Sequence, residues 1–177
     1  GQEVVLADAS VIPEDTLLSM PGTHNRLNAA LAYEALKALS LSDEEIFHGL
    51  ATFPGVPGRL EYLGERDGVK IYNDNNSTTP QATIAALEAL DLGNQNIILI
   101  CGGADKTISL DELITAIALH TKAVVTIPGS GTDTLAPQLP EAIAAPDLKT
   151  ALEEARLQAE NGDIILFSPA FASFGQY

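Results

Sequence analysis

The sequence predicts an α/β domain built on a mostly parallel sheet with helices on both faces. The first observation is that the apolar runs NIILIC (96–101), AVVTIP (123–128) and DIILFS (163–168) are nearly continuous rather than alternating, as in strands covered on both sides. The second is that amphipathic, helix-period segments separate them. The third is that polar or glycine-rich sequence follows the strands, as NDNNSTTP (73–80), CGGADK (101–106) and SPAFAS (168–173). The carboxyl ends of parallel strands lie on one edge, so these three loops are expected to converge there, where open α/β sheets hold ligands.

In chain order, residues 3–7 (EVVLA) read as a short strand, and Asp8 to Asp15 as a loop turning at Pro13. In MPGTHNRLNAALAYEALKAL (20–39), Leu27, Ala30, Leu31, Ala35 and Leu39 fall on one helical face. A second helix is expected over Ser42 to Leu50, because Ser42 followed by Glu45 matches a capping box. FPGVPGR (53–59) then marks a linker or domain boundary. LEYLGE and VKIYN read as a hairpin turning at Asp67-Gly68. Helices are expected at Pro80 to Leu90, around Leu110 to Leu119, around Asp133 to Leu139, and at Leu148 to Ala159. No internal repeat is present.

With 177 residues, 46% of them apolar, the chain is long enough for one domain with a sizeable core, or for one domain and part of another. Its 24 acidic against 9 basic side chains, a formal charge of −15, argue against nucleic acid as a partner, since phosphate backbones need a basic face. No apolar run approaches a membrane span, and GQEVVLADAS lacks the features of a signal peptide, so a cytoplasmic setting with no membrane partner is expected. With the single cysteine Cys101, neither a disulfide framework nor a cysteine metal cluster is possible. Scarce cations make two of them informative: Arg59 in GVPGR and Lys106 in CGGADK stand beside glycine turns that a small anion can reach.

Three regions hold candidate ligand groups. The loop Asn73 to Thr79 is rich in them, although the same residues also fit a well-capped helix start, with Thr79 as N-cap and Pro80 at the first helical position. Asn25 and Asn28, three apart on a first helical turn, offer the donor and acceptor that read the edge of an adenine-like ring. From spacing alone the plainer reading, Asn25 as a cap and Asn28 as an exposed polar residue, is the better one. CGGADKT matches neither GxxxxGK[ST] nor GxGxxG, but its glycines allow close backbone approach and Lys106 supplies a point charge. Lys106 and Ser173 also fit ordinary surface or loop positions.

Five segments, GTHNRLNAALA, FPGVPGRLE, YNDNNSTTPQATIAALEAL, IILICGGADK and DIILFSPAFASFGQY, together resemble the carboxyl-terminal part of a Mur ligase, in the family's order and approximate spacing over nearly the whole chain. The members they resemble most add D-glutamate to UDP-N-acetylmuramoyl-L-alanine. The resemblance implies residues 1–52 as the end of a central ATP-binding domain and 53–177 as a Rossmann-like, amino-acid-binding domain. It implies ATP and Mg2+, phosphorylation of the muramoyl carboxylate, and attack of the D-glutamate amine on the acyl phosphate.

Position by position, the resemblance implies adenine recognition by Asn25 and Asn28, contacts from Arg59 and Asp74 to the phosphate and ribose region, and a D-glutamate site of Thr78, Lys106 and Ser173 with backbone near Phe174. It assigns no catalytic side chain and no metal ligand to these residues. The GK[ST] phosphate loop, magnesium ligands and carbamylated lysine belong to family sequence preceding residue 1, and the final helix to sequence following Tyr177, so these residues alone are expected not to turn over. Two positions depart from the family pattern: Gly58 replaces a histidine, and Asn76 a lysine in NDSKATN. The alternatives are another Mur ligase, a folylpolyglutamate-synthase relative, or a non-catalytic nucleotide- or amino-acid-binding module.

Overall fold

A computed structural model of the chain describes residues 6–104 and 108–172. It divides into two compact units, Gly1–Gly55 and Val56–Tyr177, the division falling within the proline- and glycine-rich segment.

In the first unit, a 3-10 turn at Ala9–Val11 precedes helix α1 (Thr23–Ala38) and helix α2 (Asp43–Thr52). The start of α2 is the expected capping box: Glu45 N–H donates to the Ser42 hydroxyl at 3.3 Å, and Ser42 N–H donates back to Glu45 Oε2 at 2.9 Å. The expected apolar face of α1 holds only at Ala30, which is fully buried. Leu27, Leu31, Ala35 and Leu39 are exposed, and the buried stripe runs through Asn25, Ala29 and Ala30. The small side chains Ala29 and Ala30 let α1 approach Ile12, and Tyr33 stacks on Phe47 with ring centroids 5.4 Å apart. Arg26 fixes the preceding loop by donating from Nη2 to the carbonyls of Ile12 and Pro13 at 2.9 and 2.7 Å. The strand expected at 3–7 falls mostly outside the described residues; Leu6 and Ala7 are not in a strand.

The second unit is a six-stranded sheet: β1 (Glu61–Arg66), β2 (Val69–Asn73), β3 (Ile97–Cys101), β4 (Thr121–Thr126), β5 (Ile143–Ala144) and β6 (Ile164–Phe167), in the order β1-β2-β6-β3-β4-β5. Among the described strands, β1 and β2 pair antiparallel and the other pairs are parallel. The two-residue turn of the β1-β2 hairpin has Asp67 and Gly68 at φ 55 and 77, the left-handed pair that matches strand twist. The helices are α3 (Pro80–Leu90), α4 (Asp111–His120), α5 (Ser130–Leu135) and α6 (Leu148–Gln158). Ile97, Leu99 and Cys101 pack with Leu87, Leu90, Leu113 and Ile117 of α3 and α4, while Ile98 and Ile100 pack with Ala151 and Ala155 of α6. Side chains alternate across a strand, so a run buried on both faces must be apolar throughout. The two-residue β5, which the sequence does not announce, pairs with the end of β4.

Candidate functional site

In the first unit the two asparagines sit in one groove. Asn25 is 9% exposed and its Nδ2 donates to the Pro21 carbonyl at 2.8 Å; Asn28 Nδ2 donates to Asn25 Oδ1 at 3.4 Å. Gly22, not Asn25, is the N-cap of α1, so the capping role considered for Asn25 is not the one it fills, whereas Asn28 is exposed, as the plainer reading expects. The groove encloses about 390 Å³, and apart from these amides and Ser19 and Glu45 its walls are apolar or glycine residues, among them Leu18, Met20, Leu36, Ile46 and Phe53. Apolar walls with a few fixed polar groups suit a planar heterocycle carrying hydrogen-bonding edges.

In the second unit, β6 lies between β2 and β3, all parallel, so the loops after these strands share one edge. Asp74 joins them. Its carboxylate is buried, 4% exposed; Oδ1 accepts from Leu60 N–H at 3.0 Å, and Oδ2 accepts from the hydroxyls of Ser77 and Ser168 at 2.5 and 2.8 Å. The Ser168 hydroxyl also lies 2.8 Å from that of Thr83, which is fully buried at the start of α3. A buried carboxylate needs such donors to offset its desolvation. Backbone bonds extend the junction: Asp74 N–H donates to the Phe167 carbonyl and Ala170 N–H to the Ser77 carbonyl, at 2.8 and 2.9 Å.

Helix α3 starts as the sequence predicts. Thr79 is the N-cap, accepting from Ala82 N–H at 3.4 Å, and Pro80 opens the first turn. Thr78, half-buried, immediately precedes this cap, while Arg59 is exposed one residue before the Leu60 amide that Asp74 holds. Arg59, Asp74 and Thr78 are thus gathered within one pair of loops. Lys106, Ser173 and Phe174 lie outside the described residues.

The glycines of CGGADK allow the close backbone approach expected of them, and the segments that approach are neighbouring loops. A Cβ on Gly102 would lie 2.3 Å from the Ile127 carbonyl oxygen, and one on Gly103 would lie 2.7 Å from that of Ala172. They let the loops after β3, β4 and β6 touch one another. Thr132 completes this contact, accepting from Gly103 N–H at 3.2 Å and donating to the Ile127 carbonyl at 2.6 Å. The loop after β4 therefore belongs to the same edge, although it was not among the three singled out; its glycine-rich PGSGT was the available signal. Ser168, at the end of an apolar run, and Thr83 and Thr132, within helices α3 and α5, are not marked in the sequence, because a hydroxyl carries no sign of a partner distant in the chain.

Comparison with known proteins gives a consistent result. Curated relatives include the UDP-N-acetylmuramoylalanine-D-glutamate ligases of Roseiflexus sp. (strain RS-1), 40% identical over 90% of this chain and 35% of that protein, and of Roseobacter denitrificans, 36% identical over 100% of this chain and 36% of that protein. The chain spans about a third of the length of these relatives. Among solved structures, the fold is similar to UDP-N-acetylmuramate-alanine ligase MurC from Thermotoga maritima, with a TM-score of 0.71 and 22% identity over 88% of this chain and 36% of that one. It is also similar to Mycobacterium tuberculosis folylpolyglutamate synthase complexed with ADP, with a TM-score of 0.70 and 18% identity over 88% of this chain and 40% of that one; at such identities the likeness is one of fold. The model of the family described as "Mur ligase, glutamate ligase domain" matches residues 58–171, the greater part of the sequence and the whole span from the Arg59 turn to the loop after β6, so this chain belongs to the Mur ligase family.

Proposed function

We propose that this chain is the carboxyl-terminal part of an ATP-dependent ligase of peptidoglycan synthesis that joins D-glutamate to UDP-N-acetylmuramoyl-L-alanine in the cytoplasm. The observation that carries the reading is the junction at Asp74, which gathers Arg59 and Thr78 at the loop edge of a domain whose relatives are named as D-glutamate-adding ligases. In this reading residues 1–52 are the end of the ATP-binding domain, where Asn25 and Asn28 hold adenine in the apolar groove. Residues 53–177 are the amino-acid-binding domain. Arg59 meets the phosphate and ribose region; Asp74, expected to meet it too, is buried with its carboxylate held by Leu60, Ser77 and Ser168, and serves that region through the loops that it fixes. Thr78, Lys106, Ser173 and the backbone near Phe174 hold D-glutamate.

The chemistry follows from the substrates. A carboxylate resists attack until one oxygen is part of a phosphate leaving group. The muramoyl carboxylate therefore takes the γ-phosphoryl group, releasing ADP, and the D-glutamate amine then attacks the acyl carbon, releasing phosphate. Mg2+ bound with ATP supplies charge neutralisation to the phosphates. Among the described residues no group of three or more His, Cys, Asp or Glu side chains is placed to hold a metal ion, so none is assigned to that role. No helix among them is long and apolar enough to cross a membrane.

The test is a panel of amino acids offered to the full-length protein carrying this chain, with ATP and UDP-N-acetylmuramoyl-L-alanine. Phosphate release is expected with D-glutamate and not with L-lysine, diaminopimelate or D-alanyl-D-alanine; release with another member of the panel instead assigns the pocket to a different ligase. Lys106→Ala is expected to raise the KM for D-glutamate strongly and to leave adenine binding nearly unchanged, and an unaltered D-glutamate dependence removes Lys106 from the pocket.

A further inference from the structure

We propose that Asn76 is a positioning residue for Arg59, acting through a latch that holds the Val56–Arg59 turn against the loop between β2 and α3. What Arg59 touches rests on the ligase reading above; the latch itself rests on geometry. Arg59 N–H donates to the Val56 carbonyl at 3.0 Å, closing a turn with Pro57 and Gly58 at its centre. Gly58 has φ +74, which places the left-handed residue where a Pro-Gly turn of type II requires it. Asn76 then binds both central carbonyls of that turn. Its backbone N–H donates to Gly58 O and its side-chain Nδ2 to Pro57 O, each at 2.9 Å.

The flanking amides are tied down as well. Gly58 N–H donates to Glu61 Oε2 at 2.9 Å, and the same oxygen accepts from Asn73 Nδ2 at 3.1 Å. Leu60 N–H donates to Asp74 Oδ1 at 3.0 Å. The backbone on either side of Arg59 is therefore held by the β2–α3 loop, while the Arg59 side chain itself stays exposed. Gly58 is part of the latch for a steric reason. A Cβ there would lie 2.0 Å from Asn75 Oδ1 and 3.1 Å from Asn76 Nδ2, so any side chain displaces the amides that cover the turn.

A guanidinium presented from a fixed turn loses less freedom on meeting a phosphate than one on a loose linker. Asn76 is exposed, so water readily replaces its side-chain bond and the contribution to global stability is small. Its effect is expected on Arg59 and on whatever Arg59 binds, rather than on unfolding.

Two measurements test this independently. The first is amide hydrogen exchange of the 177-residue chain, with and without Asn76→Ala. The amides of Arg59 and Leu60 are expected to exchange about tenfold faster in the variant, with β3 amides unchanged; equal protection at Arg59 and Leu60 overturns the latch. The second is the ligase assay of the full-length protein with Arg59→Ala, Asn76→Ala and both together. Asn76→Ala is expected to raise the KM for ATP about fivefold, the loss of one hydrogen bond, with the KM for D-glutamate within about twofold. It is expected to add nothing in the Arg59→Ala background, because it acts through Arg59. Asn76→Asp, of the same size but without the donor, is expected to behave like Asn76→Ala. Additive losses, or equal rises in both KM values, overturn the proposal. A wild-type protein without ATP-dependent ligation refutes the ligase reading, and the exchange measurement still decides the latch.

Discussion

Asp74 is a carboxylate placed where water cannot satisfy it, accepting from the Leu60 amide and from the hydroxyls of Ser77 and Ser168. Hydrogen bonds to a charged group are worth about 1.5–3 kcal/mol each, and buried donors left without an acceptor add a penalty. Asp74→Ala is therefore expected to destabilise the second unit by about 2–4 kcal/mol, read as a fall in the denaturant midpoint with an unchanged slope. A change below about 0.5 kcal/mol would mean that the loops are held by their backbone bonds instead. Cys101 is the contrasting case at this scale. It is fully buried at the end of β3, and burial pushes its thiol up to about 12. It is expected to resist alkylation at pH 8 in the native chain and to react quickly once denaturant is added. The polar character of the Asp74 loop was legible in the sequence, as were Thr79 and Pro80, because cap and first-turn positions follow from local backbone geometry. The direction in which the Asp74 carboxylate turns was not, because its donors come from segments up to 94 residues away.

The same distinction between local and distant determinants operates among the elements. Strands β3, β4 and β6 and helices α3 and α6 were legible because a run buried on both faces, or one with a marked cap, leaves little choice of period. The face of α1 was not. Ala30 is shared by two stripes, a leucine-bearing one with Leu27 and Leu31 and a small-residue one with Asn25 and Ala29, and close packing on Ile12 selects the second. The ends of α3 and α4 are joined through Asp91, the C-cap of α3, and His120, the last residue of α4, with Nδ1 donating to Oδ2 at 2.8 Å. Burial raises the Asp91 carboxyl, but the hydrogen bonds from His120 and from the backbone N–H groups of Asn94, Gly93 and Gln95 outweigh it and hold it below its ordinary value of 3.8. A carboxyl lowered in the folded state contributes stability that is whole above the unfolded value and is lost as the pH falls through the folded one. Asp91→Asn is accordingly expected to flatten the acid limb of the unfolding free energy as the pH falls below the ordinary carboxylate value of 3.8, and an acid limb identical to wild type assigns that dependence to other carboxylates.

For the whole molecule, the strand order matters most, because placing β6 between β2 and β3 brings together loops distant in sequence. A parallel sheet read from apolar runs already implied that their carboxyl ends share an edge, so the meeting of those loops was legible. The membership of that edge was only partly so: the loop after β4 joins the edge through Thr132 and the glycines that meet it. The apolar groove of the first unit was legible only as two asparagines three apart, since its walls come from three separate segments. The central claim, that this chain serves a ligase which activates the muramoyl carboxylate by phosphorylation and couples it to D-glutamate, is tested most directly by isotope transfer. UDP-N-acetylmuramoyl-L-alanine labelled with oxygen-18 in its carboxylate is given to the full-length protein with ATP and D-glutamate. One labelled oxygen is expected in the released phosphate for each D-glutamate amide formed, and amide formation with unlabelled phosphate, or no product that depends on D-glutamate, would contradict the account.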